Sequence, residues 1–451
     1  MEKIDSLRHH GLFDARVPRY TSYPPANHFE QGIGTRHQTE WLKAVPDGSE
    51  VSVYIHIPFC KRLCWFCACR TQGTKTMRPV DAYVDILRQE IETVRENVPA
   101  DVRMARLHLG GGTPTILSPE TMTLLLETVF AAFERAEEFE FSVEIDPTEA
   151  SDALLDTLII FGMNRASIGV QDFAPRVQDA IGRLQSLEQT QHVIGFLRER
   201  HVRSLNLDLL YGLPHQTPES FAQTLSHVAK MAPDRLAIYG YAHVPWMSKR
   251  QVMIKQDDLP DAEARFHLAE MAQEVFLREG YNAIGIDHFA LPTDSLSDAA
   301  ERGRLRRNFQ GYTDDQSETL IGFGASAISR FQQGYLQNAT ATSAYQDRIN
   351  TSGFSGHKGY RMEMQDQMIA QAVEDLMCRF VYSEQALSAA YPDFADVIRQ
   401  TTVRLMARFP DVFYISEGGL EMREAAHPLV RVIASFIDQF ASKDVAHSAA
   451  I

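Results

Sequence analysis

Four of the chain's five cysteines lie within one short segment, at Cys60, Cys64, Cys67 and Cys69. The first three follow the spacing C-x3-C-x2-C. Thiolates this close repel one another unless a cation or a metal cluster neutralises them, so the spacing predicts a metal centre. A [4Fe-4S] cluster that only transfers electrons is held by four cysteine thiolates. Three ligands would leave one iron open to bind and reduce a small molecule.

The alternatives to a three-cysteine cluster are a structural zinc site, a disulfide and a cluster with four cysteine ligands. A structural zinc site normally takes two separated pairs of ligands, whereas here the cysteines crowd one loop and Cys378 stands far away in the sequence. Disulfide pairing fits poorly with an odd number of cysteines and with the absence of an apolar secretory signal in Met1–Asp14. A third alternative makes Cys69 a fourth cluster ligand, which would bind an iron next to the one held by Cys67.

Composition and charge argue against a membrane protein and against a nucleic-acid-binding protein. The chain has 451 residues, of which 44% are hydrophobic and 23% charged, as in ordinary globular proteins. No stretch approaches the roughly 18 to 20 apolar residues of a membrane span, so we expect no span and a cytoplasmic, reducing location. The formal net charge of −15 argues against nucleic acid as a partner, because phosphate binding needs a basic face.

Strand-like and helix-like segments alternate up to about residue 290. The predicted strands are Ser52–Ile57, Arg106–Leu109, Glu140–Ile145, Arg165–Val170, Ser204–Leu210, Arg235–Tyr239 and Asn282–Ile286. The predicted helices include Val80–Asn97, Pro119–Arg135, Leu187–Arg200, Pro218–Met231 and Asp261–Glu279. About six such units predict an α/β fold with a closed or partly open barrel. The cysteine segment follows the first strand, where α/β barrels place their active-site loops.

Three regions are expected along the chain. Residues 1–40 lack clear periodicity and predict an extended N-terminal arm. Residues 41–363 hold the barrel with a C-terminal extension. Residues 364–451 predict a mostly helical C-terminal domain, helical to Asp444, with a small β-wing near Val412–Met422.

Polar and glycine residues recur where the predicted strands end. Gly110–Pro114 follows the second strand, and glycines there let the backbone approach a ligand closely, although a tight turn explains them as well. Glu144 ends the third strand, where it could accept hydrogen bonds from ribose hydroxyls or form a plain ion pair. Gln171, Arg183 and Asp208 lie near equivalent strand ends, and each alone could be an ordinary surface group.

These motifs, in this order, resemble one family along most of the chain. The cysteine segment with Phe66 matches the C-x3-C-x-Φ-C motif of radical S-adenosylmethionine (SAM) enzymes, in which Φ is aromatic. The chain resembles the oxygen-independent coproporphyrinogen III dehydrogenases, also called anaerobic coproporphyrinogen oxidases, of that superfamily. The matching segments are Pro18–Pro24, Tyr54–Cys60, Gly110–Thr115, Gly169–Phe173, Asp208–Pro214, Asp287–Ala290, Asn308–Thr313 and Ser326–Ser329. Related haem chaperones differ at Arg19–Pro24, at Asn308–Thr313 and at Cys69.

The resemblance implies a fold, a cofactor set and a residue for each role. It implies a partial (βα)6 barrel with one [4Fe-4S] cluster and two SAM molecules, and it makes Cys60, Cys64 and Cys67 the cluster ligands but not Cys69. Positions around the first SAM correspond to Tyr54, Phe66, Gly111, Glu144 and Ile328. Positions around the second correspond to Gly112, Thr113, Gln171, Arg183, Asp208 and Ala242. The substrate-side candidates are Arg19, Tyr20, Gln310 and Tyr312.

The resemblance also implies a reaction. In such enzymes the reduced cluster cleaves SAM to methionine and a 5′-deoxyadenosyl radical, which abstracts hydrogen from a propionate side chain. Loss of CO2 and one electron leaves a vinyl group, and two rounds convert coproporphyrinogen III to protoporphyrinogen IX. The expected partners are that substrate and an unidentified electron donor and acceptor, and the expected oligomeric state is a monomer. Because Arg70-Thr71 departs from the family pattern and the C-terminal region diverges, the alternative is a haem-binding or haem-chaperone paralogue that retains cluster and SAM.

Overall fold

One twelve-stranded sheet organises the chain, of which the computed structural model describes residues 3–441 and 449–451. Its strands are β1 Glu50–Ile57, β2 Arg103–Gly111, β3 Arg135–Ile145, β4 Arg165–Gln171, β5 Ser204–Tyr211, β6 Arg235–Gly240, β7 Asn282–Ile284, β8 His288–Ala290, β9 Thr319–Phe323, β10 Ile328–Phe331, β11 Gly334–Asn338 and β12 Gly356–Arg361. Their spatial order is β12-β11-β10-β9-β1-β2-β3-β4-β5-β6-β8-β7. Strands β1 to β6 run parallel, and β9 joins β1 in parallel. The outer strands at both edges pair antiparallel.

Helices connect the parallel strands, and further helices precede and follow these strands in the chain. The α-helices in the described residues are α1 Lys3–His9, α2 Thr35–Lys43, α3 Arg78–Arg95, α4 Pro119–Ala132, α5 Asp152–Ile160, α6 Pro175–Ile181, α7 Leu187–Glu199, α8 Pro218–Met231, α9 Ala262–Arg278, α10 Ser295–Glu301, α11 Thr342–Ser352, α12 Met364–Arg379, α13 Glu384–Ala390, α14 Ala395–Arg408 and α15 Val430–Ile437. Within this set, none combines the length and the hydropathy that crossing a bilayer requires.

The sheet curves into a partial barrel. Asp314 lies 3.2 Å from the Arg106 guanidinium of β2 and 3.7 Å from the Arg235 guanidinium of β6. The next residue, Asp315, accepts a hydrogen bond from Ser52 of β1. In a flat sheet, strand spacings of about 4.8 Å would separate β1 from β6 by about 24 Å. Two adjacent residues that contact β1, β2 and β6 therefore lie inside a curved sheet, and the predicted partial (βα)6 barrel is confirmed.

Several element boundaries differ from the sequence prediction. Arg135 begins β3 instead of ending a helix, because the Glu134 carbonyl accepts a hydrogen bond from the Met104 amide of β2. The expectation of an extended arm over residues 1–40 is wrong for residues 3–9, which form α1, and for residues 35–40, which begin α2. Short helices give little periodic signal and are stabilised mainly by tertiary packing. Here that packing buries Leu7 in α1 and Trp41 in α2.

A second hydrophobic core joins the two ends of the chain. Leu7, Leu12 and Val17 pack with Leu376 of α12 and Ile433 of α15, apart from the main core under the barrel. The C-terminal region carries a three-stranded sheet of Val381–Tyr382, Phe413–Ser416 and Gly419–Met422, which includes the expected β-wing. The helix expected over Ser442–Asp444 lies outside the described residues.

Glu90 of α3 ties the barrel to its extension. Its carboxylate accepts hydrogen bonds of 2.8 Å from the Gly324 amide, from the Asn338 amide group and from the Tyr345 hydroxyl. Glu90 is fully buried, and burial raises its pKa to about 7 even though these bonds favour the ionised form. One side chain therefore links α3 to β9, β11 and α11.

We expect Glu90→Ala to lower the free energy of unfolding by about 2 to 4 kcal/mol, since three buried donors lose their acceptor. Urea denaturation monitored by circular dichroism would measure the change. The matched control is Glu92→Ala, which removes an exposed carboxylate from the same helix. Equal stability of the two variants would contradict a structural role for Glu90.

Candidate active site

The cysteine loop begins directly after β1 and is closed at its base. Phe59–Cys60 pairs in parallel with Gln72–Gly73, and the Gln72 amide donates to the Pro58 carbonyl at 2.7 Å. The cysteines within the loop are free thiols; Cys60, Cys64 and Cys67 are partly buried and Cys69 is exposed. The loop thus holds three sheltered thiols at the C-terminal end of the first barrel strand.

A second loop, which follows β6, holds the cysteine loop in place. The Gln251 amide group donates to the Phe66 carbonyl at 2.7 Å and to the Ala242 carbonyl at 3.1 Å. The Ser248 hydroxyl donates to the Cys67 carbonyl at 2.9 Å, and Arg250 donates to the Thr71 carbonyl. Sequence reasoning missed all three residues, because no motif relates positions near 250 to positions near 67.

Local electrostatics favour thiolate at Cys67. The adjacent Cys69 thiol, the Cys69 amide and Arg250 together lower the pKa of Cys67 to about 6, against the effect of burial, and the Cys69 amide donates to Cys67 Sγ at 3.4 Å. The proximity of Cys67 in turn raises the pKa of Cys69. The Arg183 guanidinium lies 3.7 Å from Cys64 Sγ, and the Thr113 hydroxyl donates to Cys60 Sγ at 3.5 Å.

The donor set fits a cluster with three protein ligands. In the described part of the chain, no three His, Cys, Asp or Glu side chains lie close enough to share one metal ion. A cubane cluster does not require that convergence, because each thiolate binds a different iron. Three thiols on one loop, with cationic Arg183 and Arg250 beside them, provide ligands and compensate negative charge.

The glycine turn after β2 has no room for side chains. Gly111 has φ of +116°, and a Cβ added there would lie 2.6 Å from the His56 ring. A Cβ on Gly112 would lie 2.6 Å from the Phe59 carbonyl oxygen. The ends of β1 and β2 therefore approach at backbone distance beside the cysteine loop, where the Gly112 amide donates to the Ile57 carbonyl at 2.8 Å.

Glu144 is positioned at the end of β3 by two donors. Its carboxylate accepts a 3.0 Å bond from the Gly111 amide and lies 3.5 Å from His108 Nε2. Burial works to raise the pKa of Glu144, but the His108 and Gly111 contacts outweigh it and hold that pKa below its usual value. Tyr54 stacks on the His108 ring at 5.7 Å and bonds His56 Nδ1 at 2.9 Å, so its position on β1 supports the same cluster of side chains.

Arg183 follows α6 and links that helix to two strand ends. Its guanidinium bonds Asp146 at 2.9 Å and the Gly169 carbonyl at 3.0 Å. Gln171 ends β4 with φ of +69°, and its side chain lies near Gly169 as well. Ala242 follows shortly after the end of β6, and its carbonyl accepts a hydrogen bond from the Gln251 amide group. Arg183 and Ala242 therefore lie next to the cysteine loop, and Gln171 lies near Arg183 at Gly169.

Asp208 lies deeper, on β5. Its carboxylate accepts hydrogen bonds from Ser167 at 2.8 Å and from Asn206 at 2.7 Å. Burial raises the pKa of Asp208 to about 6, and the charge of Glu144 adds to the shift. Asp208, Glu144 and His108 line an internal cavity of about 210 Å³.

The substrate-side candidates separate in space. Gln310 and Tyr312 line the same 210 Å³ cavity, and Tyr312 also donates to the Met377 carbonyl at 2.7 Å. Arg19 donates to the Gly240 carbonyl at the end of β6. Tyr20 is buried in the second core, where its hydroxyl donates to Asp438 at 2.9 Å. Ile328 begins β10 and lines a smaller cavity beside Phe309 and Tyr335.

Comparison with known proteins gives the same class that the fold and the loop indicate. Residues 54–228 match the model of the radical SAM superfamily. The chain is therefore a radical SAM protein, and that superfamily uses a [4Fe-4S] cluster together with SAM.

Full-length relatives define the family. The chain is 48% identical over 451 residues to an oxygen-independent coproporphyrinogen III oxidase of Paracoccus denitrificans, with all of both chains covered. It is 36% identical to one of Pseudomonas aeruginosa, covering 95% of this chain and 94% of that relative. The solved structure of coproporphyrinogen III oxidase from Escherichia coli, described as a radical SAM enzyme, superposes with a TM-score of 0.89 at 34% identity, covering 94% of this chain and 100% of the other. The chain belongs to the oxygen-independent coproporphyrinogen III oxidase family.

We expect Cys60→Ala, Cys64→Ala and Cys67→Ala each to lose the cluster, because each change removes one of only three thiolate ligands. Cys69→Ala should retain it. Iron and sulfide content after anaerobic reconstitution, with the visible absorption spectrum, would measure this. Cys378→Ala, at a buried position outside the loop, is the matched control. Loss of iron from Cys69→Ala to the same extent as from Cys67→Ala would instead support a four-cysteine cluster.

Proposed function

We propose that this chain converts two propionate side chains of coproporphyrinogen III to vinyl groups by radical-SAM oxidative decarboxylation, which yields protoporphyrinogen IX for haem biosynthesis. One observation carries the proposal. The three-thiol loop lies at the end of β1 of a partial barrel, in a chain that matches a relative named oxygen-independent coproporphyrinogen III oxidase over all 451 residues. The names of the relatives favour this reading over the haem-chaperone alternative.

In this proposal Cys60, Cys64 and Cys67 hold the cluster. When bound, the cluster and SAM supply the one-electron chemistry that removes a hydrogen atom from a propionate side chain. The chain's part is to position and shelter the reactants. The His108 and Gly111 contacts keep Glu144 ionised, so that it can accept hydrogen bonds from ribose hydroxyls of SAM. Backbone carbonyls of the glycine turn would accept hydrogen bonds from the methionine end of SAM. We assign Tyr54, Phe66 and Ile328 to the same first site.

We further propose a second SAM molecule, held by Gly112, Thr113, Gln171, Arg183, Asp208 and Ala242. Support comes from the contacts that bring most of these residues to the edge of the cysteine loop. Arg183 reaches Cys64 and Gly169, and Thr113 reaches Cys60. Gln251 joins Ala242 to Phe66, a residue of the first site, so the two sites share one loop.

We also propose that the chain has three regions: an N-terminal arm at residues 1–40, the barrel with its extension at 41–363 and a C-terminal helical domain at 364–451. The second core, which joins the arm to the C-terminal helices, supports the idea that these two regions close over the barrel together. The proposed partners besides the substrate are an electron donor for the cluster and an acceptor for the final electron. We propose a monomer, and a cytoplasmic location because a reducing compartment protects an oxidation-sensitive cluster.

The direct test is anaerobic reconstitution followed by incubation with SAM, dithionite and coproporphyrinogen III. We expect product analysis to detect two vinyl groups per tetrapyrrole, together with loss of CO2. Omission of SAM is the control. An intact cluster spectrum without vinyl product would overturn the proposed function.

The second SAM site gives a separate prediction. Equilibrium dialysis of the reconstituted protein should approach two SAM molecules per cluster, and Asp208→Asn should lower that ratio toward one. Asp101→Asn, which changes an exposed carboxylate between α3 and β2, should leave the ratio unchanged. A ratio of one in the unchanged protein would refute the second site.

A further inference from the structure

One cavity in the described part of the chain is lined by several arginines. It has a volume of about 740 Å³ and lies between the ends of β5 and β6, helix α9 and segments from both ends of the chain. Four arginines contribute to its wall: Arg19 of the arm, Arg265 of α9, Arg307 near β8 and Arg431 of α15. Four guanidinium groups therefore face one space from four different parts of the fold.

Three of these arginines donate hydrogen bonds only to backbone carbonyl oxygens within the described residues. Arg19 donates to Gly240 and Arg265 donates to Tyr241, each at 2.7 Å. Arg431 is buried and donates to carbonyls of the arm and of the C-terminal end, among them Val17 at 2.8 Å. Within residues 3–441 and 449–451, no carboxylate side chain forms an ion pair with Arg19, Arg265 or Arg431.

The fourth arginine is only partly neutralised. Arg307 lies 3.8 Å from Asp287, which itself holds the His288 ring at 2.7 Å. The Arg307 guanidinium also stacks over the Tyr312 ring at 4.4 Å. Its Nε and Nη1 groups, and Nε of Arg265, are buried without a hydrogen-bond partner among the described residues. Buried N–H groups are normally paired, so these donors point to an acceptor that the chain itself does not supply.

Acidic side chains also line this space, but in the described residues neither Glu421 nor Glu424 forms an ion pair with any of the four arginines. Glu270 at the wall pairs with Lys3 at 2.7 Å, and Asp287 is shared between Arg307 and His288. Burial, with the neighbouring charge of Arg19, lowers the pKa of Arg431 to about 9. Buried charges of one sign are costly unless an opposite charge joins them. An anionic ligand with several acceptor groups would relieve that cost.

We propose that Arg19, Arg265, Arg307 and Arg431 form a carboxylate cradle, which binds the propionates of the substrate that are not being oxidised. This inference rests on the proposed function. Coproporphyrinogen III carries four propionates and its product retains two, so carboxylates must be held while others react. Guanidinium groups bind carboxylates through paired hydrogen bonds. The cavity volume lies within the range of small-molecule sites, and its wall adjoins Ala242 and the ends of β5 and β6 beside the cysteine loop.

The test measures binding of coproporphyrin III, the oxidised and fluorescent form that keeps all four carboxylates, to the reconstituted protein. We expect Arg265→Gln and Arg307→Gln each to raise its dissociation constant about tenfold or more. Arg265→Lys should retain part of the affinity, because the charge stays but the paired donors are lost. Arg278→Gln, at an exposed arginine near the end of the same α9, should bind like the unchanged protein. Cluster absorption and thermal midpoints would verify that each variant is folded.

A second measurement needs no variant. The unchanged protein should bind coproporphyrin III at least about tenfold more tightly than its tetramethyl ester, which lacks the charges. Equal binding of acid and ester, or unchanged affinity and KM in a folded Arg265→Gln, would overturn the cradle. Failure of the proposed function looks different: the unchanged protein would then bind coproporphyrin III but form no vinyl product from coproporphyrinogen III.

Discussion

Three thiolates must be held together on one short loop while the fourth corner of the cluster stays open, and much of the structure serves that constraint. The short pairing of Phe59–Cys60 with Gln72–Gly73 closes the base of the loop. Ser248 and Gln251 then fix its backbone from the loop after β6. Because these contacts come from opposite sides of the barrel, the loop geometry depends on the curvature of the whole sheet.

The same curvature explains why charged groups occur inside the barrel. Glu140 of β3 pairs with Arg106 at 2.7 Å and with Arg165 at 3.2 Å, and Asp314 adds a second acid beside Arg106. Buried charges are tolerated when they are paired and hydrogen-bonded. In the arginine-lined cavity, Arg19, Arg265 and Arg431 have no carboxylate partner among the described residues, and we propose that carboxylates of the substrate take that place.

The sequence predicts features that depend on local pattern and misses those that depend on distant contacts. The cysteine spacing, the alternation of strands and helices and the glycine turn are all local, and the partial barrel follows from them. Helices α1 and α2 are too short for a periodic signal and form because Leu7 and Trp41 are buried by other elements. Gln251, His108 and the pairing of Arg431 with the arm carbonyls could not be predicted, since their partners lie far away in sequence. The hydrogen bond from the Cys69 amide to Cys67 Sγ depends on loop conformation, which spacing alone does not determine.

We propose that SAM occupies the open corner of a cluster held by Cys60, Cys64 and Cys67. Electron paramagnetic resonance of the reduced, reconstituted protein, recorded with and without SAM, tests whether SAM binds that iron. We expect saturating SAM to change the g values of the reduced cluster, because a ligand exchanges at one iron. An identical spectrum in the presence of SAM would contradict the claim and would indicate a cluster closed by four protein ligands.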